Sequence, residues 1–346
     1  MPARLRRFDG WRRLCAALLV YLGALALFSV VVALKGGNPF SVWSTMVRST
    51  VLAGPTLQET LLRAVPIALA ALAVAVPARA GLVNVGGEGQ LIVGAVAATG
   101  AGVAIGASVP GPVSWLVMAV AGAGAGAAWA GLAGLLRTAL GANEAVTTLL
   151  LNFVANDIML YLIYQLWKDP KGSGQPESRP LVHAAQLPRL WGSQLNIAVL
   201  VTVAVAAAMW WLLRHTGWGF ALRVVGGNPE AARRSGLPVR RLLLSSMLVG
   251  GALAGLGGML NFAGLELRLR PDITLSFGYI AFLASWLGRH QPVKVVGAAL
   301  LFSAIALSGN GLQLTDGLDG SIVDVLLALI VAAPLVLTKR RRGAFL

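Results

Sequence analysis

Residues 195–214 read LNIAVLVTVAVAAAMWWLLR, an apolar run whose only charged residue is Arg214 at its end. A helix needs about 20 apolar residues to cross the hydrocarbon core of a bilayer, so this run predicts a transmembrane helix. Nine other runs along the chain are also predominantly apolar, and three of them are short. The ten predicted spans are 14–34, 57–77, 90–106, 113–136, 144–166, 195–214, 241–262, 276–288, 293–309 and 321–337.

The composition agrees with this reading. Of 346 residues, 57% are hydrophobic and 12% are charged, and the mean hydropathy is +0.76. Soluble proteins average about 45–50% apolar and about 25% charged residues. We therefore predict an all-α polytopic membrane protein with one transmembrane domain over 1–346. Its parts are a basic N-terminus at 1–13, a membrane region at 14–337 containing a cytoplasmic loop at 215–240, and a basic tail at 338–346.

The basic residues indicate how the chain is oriented. With the N-terminus inside, 19 of the 28 Lys and Arg residues fall in cytoplasmic segments and 8 fall outside. Arg63 lies within a span. Positive residues are enriched in cytoplasmic loops, so the bias predicts that both termini are cytoplasmic. The net charge of +15 then points to anionic lipid headgroups rather than to nucleic acid.

Motifs for enzymatic chemistry are missing from the sequence. It contains no G-x-x-x-x-G-K-[ST] loop, no nucleophile elbow and no H-E-x-x-H pair. Its histidines, His183, His215 and His290, are far apart, and a single cysteine, Cys15, supports neither an intrachain disulfide nor a zinc framework. We expect no catalytic residue, no metal and no cofactor bound by this chain.

Three polar clusters interrupt the apolar pattern, and the first is RAGLVNVGGEGQ at 79–90. Its glycines argue against a continuous helix, and broken backbone at membrane depth is tolerated only inside protein or beside water. Two interpretations of this cluster, with its Asn84, Glu88 and Gln90, remain open. It is either a structural element beside a translocation route or an ordinary cytoplasmic turn in which Asn84 and Glu88 cap helices.

The second cluster is NEAVTTLLLNFVAND at 143–157. At 100° per residue, Glu144, Thr148, Asn152 and Asn156 form one polar stripe on an apolar helix. Such a stripe suits a neutral, hydrogen-bonding solute better than an ion. The competing interpretation is hydrogen bonding between helices, which contributes about 0.6 kcal/mol per contact in membranes.

Ion pairing offers a further alternative for two of these residues. Arg79 lies in the same cluster as Glu88, and Arg137 lies in the loop that precedes Glu144. If the two glutamates pair with these arginines, their role is structural.

The third cluster is RVVGGNPEAARRSGL at 223–237. Asn228 or Gly227 can cap a helix, Pro229 suits its first position and Glu230 favours its positive end. The pattern predicts a short, exposed, amphipathic helix ending at Gly236, able to dock into a groove on another protein. The alternative is a basic loop resting on lipid headgroups.

A fourth feature is a run of small residues, GAGAG at 122–126. Small residues let helices approach closely in membranes. We interpret this run as a helix-packing surface rather than a binding site.

The clusters together resemble a known family. EAARRSG at 230–236 matches the start of the ATPase-contacting loop of ABC importer permeases, although the downstream Ile-x-Leu-Pro portion is missing. NVGGEGQ at 84–90, ANEAVTTLLLN at 142–152, VGGNPEAAR at 225–233 and LGRHQP at 287–292 occur in an order similar to that in permeases of the branched-chain amino acid/ribose/nucleoside class. Within that class they look most like the nucleoside or simple-sugar branch, and the likeness runs from about 57 to 337.

The resemblance implies a transport subunit without enzymatic activity. Its partners would be cytoplasmic ABC ATPase subunits, which use ATP and Mg, a second and different permease chain, and an extracytoplasmic solute-binding protein. The location would be a bacterial inner membrane, and the solute a nucleoside first and a pentose or other simple sugar second. The implied ATPase-coupling residues are Gly226, Gly227, Asn228, Pro229, Glu230, Ala231, Ala232, Arg233 and Gly236. The candidates for the translocation pathway and its surroundings are Asn84, Glu88, Gln90, Glu144, Thr148, Asn152 and Asn156.

Two other classes fit the span pattern. An ion-coupled secondary transporter also has about ten spans and broken helices. It needs a coupling carboxylate, for which Glu144 or Asp157 could serve, and it works without an ATPase. A membrane-embedded enzyme is the more distant alternative.

Overall fold

The computed structural model describes residues 3–52, 54–105, 108–170, 175–271, 273–274 and 276–342. Apart from two isolated β-bridges, the regular structure in these ranges is helical. The last four residues of the predicted basic tail lie outside them. The α-helices are α1 Ala3–Leu34, α2 Pro39–Val47, α3 Gly54–Arg79, α4 Gly87–Ile105, α5 Gly111–Leu140, α6 Glu144–Tyr161, α7 Ile197–His215, α8 Gly217–Gly227, α9 Pro229–Arg234, α10 Val239–Asn261, α11 Phe277–Leu287, α12 Pro292–Thr315 and α13 Ile322–Arg342.

The helices support the predicted all-α polytopic fold. π-Helical turns continue α2, α6 and α10 at Arg48–Leu52, Leu162–Leu166 and Phe262–Glu266. Among the described residues, 7 helices are long and apolar enough to cross a membrane, and a bent pair brings the number to 8. Each of the ten predicted runs coincides with a helix, but α11 and the apolar part of α13, Ile322–Ala333, fall short of that length.

The chain forms two compact units, and residues 61–300 make the larger one. Its most protected helix is α3, in which every residue from 64 to 77 is buried. A helix that is apolar all round belongs in such an interior. By contrast, α7 exposes large apolar side chains, including Leu200, Val203 and Trp211. Exposed apolar area of this kind suits contact with lipid.

Glycines bring α5 and α10 into close contact. A Cβ atom built on Gly126 would lie 2.3 Å from the Gly251 carbonyl oxygen, and one on Gly255 would lie 2.2 Å from the Gly122 carbonyl oxygen. Gly124 has no neighbour within 4 Å of such an atom. The predicted packing surface is therefore confirmed for Gly122 and Gly126, while Gly124 points away from it.

The second unit comprises residues 1–60 and 301–346. Its first two helices, Leu18–Leu34 and Pro39–Thr50, are bent by 116°. Gly36, at φ +82°, lets the backbone turn, and the Asn38 side chain accepts a hydrogen bond from the Phe40 amide at 3.0 Å. Trp43 Nε1 then donates to Ser29 Oγ at 3.0 Å across the bend. The sequence did not predict α2 as a separate helix.

Candidate functional site

The first polar cluster forms a buried break between α3 and α4. Asn84 is 0% exposed and Gln90 is 1% exposed. Their side-chain amides pair with each other, with Asn84 Nδ2 donating to Gln90 Oε1 at 3.2 Å and Gln90 Nε2 donating to Asn84 Oδ1 at 3.0 Å. Asn84 Nδ2 also donates to the Ala73 carbonyl oxygen on α3 at 3.2 Å. The break is thus part of the protein interior, unlike an exposed turn.

The polar stripe of α6 faces this break and satisfies its backbone. The Val85 amide donates to Thr148 Oγ1 at 3.1 Å, and the Gly89 amide donates to Asn152 Oδ1 at 2.8 Å. Asn152 Nδ2 returns a hydrogen bond to the Val85 carbonyl oxygen at 3.0 Å. Side chains from one helix therefore replace the hydrogen bonds that a continuous helix would have made.

Glu144 and Asn156 lie at opposite ends of the stripe. Glu144 accepts a hydrogen bond from the Val83 amide at 3.2 Å and pairs with Arg137 Nε at 3.2 Å. The pairing with Arg137, one of the two alternatives from the sequence, is therefore present. Asn156 is half-buried, and the structure shows no hydrogen bond for its side chain among the described residues.

Glu88 lies where two helices begin. Thr274 Oγ1 donates to one of its carboxyl oxygens, and the Gly278 amide donates to the other at 2.6 Å. Because α4 begins at Gly87 and α11 at Phe277, the positive ends of both helix dipoles meet around this side chain. Thr274 and Gly278 were not predicted from the sequence, because they lie 186 and 190 residues from Glu88 and carry no local motif.

Arg79 bonds to a backbone carbonyl instead of a carboxyl group. Its Nε and Nη2 donate to the His290 carbonyl oxygen at 3.2 and 3.0 Å. The alternative in which Glu88 pairs with Arg79 is therefore wrong. No three His, Cys, Asp or Glu side chains come together as a metal site would require, within the part of the chain that the structure describes.

The third cluster forms the short exposed helix that the sequence predicts. Asn228 is its cap, accepting hydrogen bonds at 3.0 Å from the Glu230 and Ala231 amides, and Pro229 is its first residue. Glu230 pairs with Arg233 at 3.0 Å and with Arg234 at 3.3 Å, and all three are largely exposed.

This helix is followed by a turn and preceded by a second helix. Gly236 turns the chain at φ +80°. The preceding helix is the amphipathic α8, whose last two residues are Gly226 and Gly227. It was not predicted from the sequence. Ala232 is buried under the loop, whereas Ala231 is exposed.

Two close contacts fix this loop to the helices beside it. A Cβ atom built on Gly226 would lie 2.2 Å from the Arg79 carbonyl oxygen, so α8 touches the end of α3. Trp218 Nε1 on α8 donates to Ser245 Oγ on α10 at 3.0 Å. A displacement of the exposed loop would therefore reach both α3 and α10.

Comparison with known proteins agrees with this architecture. Residues 56–337 match the family described as branched-chain amino acid transport system / permease component. The chain belongs to this permease family. A glucose ABC transporter permease protein of Haloferax volcanii is 34% identical to it, over 94% of this chain and 88% of the relative.

Two bacterial relatives extend the comparison. A guanosine ABC transporter permease protein of Bacillus subtilis is 28% identical, over 91% of the permease described here and 90% of the relative. A nucleoside ABC transporter permease protein of Lactococcus lactis is 27% identical, over 92% and 90%. The permease is thus a multi-pass membrane transport component and not an enzyme.

The contact between α6 and the break in this permease can be tested at Thr148. In Thr148→Val the shape is kept, but the Val85 amide loses its acceptor, which we expect to cost about 1–3 kcal/mol. The control is Thr147→Val, because Thr147 is only half-buried and accepts no hydrogen bond from the break, so its effect should stay within about 0.5 kcal/mol. Thermal unfolding in detergent measures both, and equal effects would contradict the assigned contact.

Proposed function

We propose that this permease is the membrane subunit of an ATP-binding cassette importer and that its solute carries a sugar ring. A nucleoside is the first choice and a simple sugar the second. The relatives support this choice by their names, since one is a glucose permease and two are guanosine or nucleoside permeases. Nucleosides and simple sugars share a hydroxylated ring, which an amide side chain such as that of the half-buried Asn156 can recognise by hydrogen bonding.

The observation that carries this proposal is the exposed loop at 226–236. Its helix α9 is capped and projects exposed side chains, while its base is fixed to α3 through Gly226 and to α10 through Trp218. Such a segment is suited to seat in a groove on an ATPase subunit, as helices do in protein recognition. Closure of the ATPase pair around ATP and Mg would then move the transmembrane helices.

Our proposal for the buried clusters divides their roles. Six residues maintain the break between α3 and α4, because their polar groups are already bonded within the protein. They are Asn84, Glu88, Gln90, Glu144, Thr148 and Asn152. Asn156 differs, since it is half-buried and has no hydrogen-bond partner among the described residues. We assign Asn156 to the pathway itself and the other six to its scaffold.

The proposed assembly contains ten spans per permease, with both termini in the cytoplasm. The bent pair, α11 and α13 would complete the count beyond the seven long helices. A second, homologous permease would complete the pathway, and an extracytoplasmic solute-binding protein would deliver the solute. The assembly would lie in the cytoplasmic membrane. ATP and Mg would bind to the partner ATPase and not to this chain.

The loop can be tested by co-purification and uptake with Glu230→Ala. Both ion pairs of Glu230 are solvent-exposed, so their loss should alter stability by less than about 1 kcal/mol. If the side chain contacts the ATPase, however, losing even about 1.4 kcal/mol of docking energy reduces association about tenfold. Gly217→Ala is the control, because an added Cβ there meets nothing within 4 Å.

Labelled guanosine uptake, with unlabelled uridine and glucose as competitors, separates the solute classes. Competition by uridine alone supports a nucleoside, and competition by glucose supports a simple sugar. A permease that purifies alone and transports on an ion gradient without ATP would refute the importer assignment and favour a secondary transporter.

A further inference from the structure

A basic cavity of about 310 Å³ lies in the larger unit, where α3 ends before the buried break and α8 leads into the exposed loop. Four cationic side chains line it, from the ends of α3 and α7, from α8 and from the start of α12: Arg79, Arg214, Arg223 and Lys294. No carboxyl group lines it within the described ranges of the chain. Four positive charges around one cavity repel each other, and an anion bound there would relieve the repulsion.

Neutral groups hold the three arginines in place. Arg79 donates to the His290 carbonyl oxygen, and Arg223 Nη1 donates to the Leu213 carbonyl oxygen. The Arg214 guanidinium lies over the Trp210 ring, 5.6 Å from its centroid. No ion pair involves these arginines or Lys294 among the described residues. Because a guanidinium has five N–H donors, each arginine keeps donors for a ligand.

The neighbouring histidine adds no further charge. Burial, and then the positive charge of Arg79, lower the pKa of His290. Its imidazole is therefore neutral at pH 7, so the positive charge of the cavity comes from its arginines and its lysine.

The surroundings of the cavity are those expected at the depth of lipid headgroups. Trp210 and its neighbour Trp211 lie near the end of α7, and tryptophans concentrate at membrane–water interfaces. The cavity wall also has an apolar side, formed by Leu213, Pro292 and the largely exposed Val293. A phosphate with an attached glycerol and acyl chain matches this combination of charged and apolar surface, whereas a free phosphate would use only the charged part.

We propose that this cavity binds the phosphate of an anionic phospholipid from the cytoplasmic leaflet. The cationic residues sit in segments that the charge bias places inside, where anionic lipids are enriched. The phosphate would accept hydrogen bonds from the arginines and from Lys294, and the glycerol would rest on the apolar wall. The site needs neither ATP nor a partner subunit, so the proposal stands or fails independently of the importer assignment.

The test is native mass spectrometry of the full-length chain with dioleoylphosphatidylglycerol, compared with dioleoylphosphatidylcholine. Each cation near an anionic lipid contributes about fivefold in affinity, so we expect Arg214→Gln/Lys294→Gln to weaken phosphatidylglycerol binding about 30-fold. The control is Arg241→Gln, which like Lys294→Gln removes one exposed charge, but near the start of α10 and outside the cavity. If the double variant fails to fold, exposed Lys294→Gln alone should still give about a fivefold loss.

The outcomes separate the possible ligands. Three results together would establish the lipid site. Phosphatidylglycerol binding would be weaker in the double variant, it would be retained in Arg241→Gln, and excess inorganic phosphate would not displace the lipid. Full displacement by inorganic phosphate would overturn the lipid assignment in favour of a free anion. If Arg241→Gln lost as much phosphatidylglycerol binding as Lys294→Gln, the lipid would be held by diffuse charge attraction and not by a site. Unchanged lipid binding with lost ATPase co-purification would assign the cavity to a protein interface and overturn the proposal.

Discussion

Gly126→Ala should destabilise the protein by about 3 kcal/mol or more, while Gly124→Ala should leave it intact or slightly more stable. The two glycines belong to the same run of small residues and differ in what they face. A methyl group on Gly126 would sit 2.3 Å from the Gly251 carbonyl oxygen and 2.7 Å from the Gly255 Cα atom. Both are backbone atoms, so α5 and α10 would have to separate.

The separation would also disturb α4. A Cβ atom on Gly94 would lie 2.3 Å from the Gly255 carbonyl oxygen, so one glycine of α10 touches both α4 and α5. The contact cannot loosen on one side alone, which is why we expect the upper end of the usual overpacking cost. At Gly124 an added methyl group meets nothing within 4 Å, and alanine favours the helix by about 1 kcal/mol over glycine.

The measurement for this pair is the midpoint of thermal unfolding, with the monodisperse fraction by size-exclusion chromatography. A lower midpoint in Gly126→Ala, with no decrease in Gly124→Ala, agrees with the packing described here. Similar midpoints in the two variants would mean that α5 and α10 do not meet at Gly126.

Hydropathy located the membrane helices because a bilayer imposes one requirement on every span. An apolar run of sufficient length must form a helix there, since backbone groups have no other partner in lipid. All ten predicted runs coincide with helices, of which 7, or 8 with the bent pair, are long and apolar enough to cross a membrane among the described residues. The pattern was less informative for short amphipathic helices such as α2 and α8, because a few polar residues among apolar ones are equally typical of a loop.

The candidate site was only partly predictable. Helical spacing put Thr148 and Asn152 on one face, but it could not say whether that face met solute or protein. The structure shows that it meets the break at 83–89. This depends on how α6 packs against a segment about 60 residues earlier in the chain, and no local pattern encodes that. By contrast, the Asn-Pro-Glu cap at 228–230 was predictable, because a cap involves only neighbouring residues.

Glu88→Ala should have the second largest effect, because it removes both acceptors at the junction of α4 and α11. Thr274 Oγ1 and the Gly278 amide would each be left unpaired in the interior, at about 1–3 kcal/mol apiece. Thr274→Val removes only one of the two hydrogen bonds, so it should cost about half as much. Thr274→Ser keeps the hydroxyl donor and serves as the matched control.

Hydrogen exchange at Gly278 distinguishes local opening from global unfolding. If the amide is protected by Glu88, its exchange should accelerate in Glu88→Ala by more than the loss of global stability predicts. In Thr274→Val it should accelerate less, because the Gly278 bond to the carboxyl group is retained. Slow exchange at Gly278 in Glu88→Ala would show that the carboxyl group does not hold the two helix starts together. Faster exchange would mean that Glu88, despite its position in a break expected to line a pathway, is a structural link between α4 and α11.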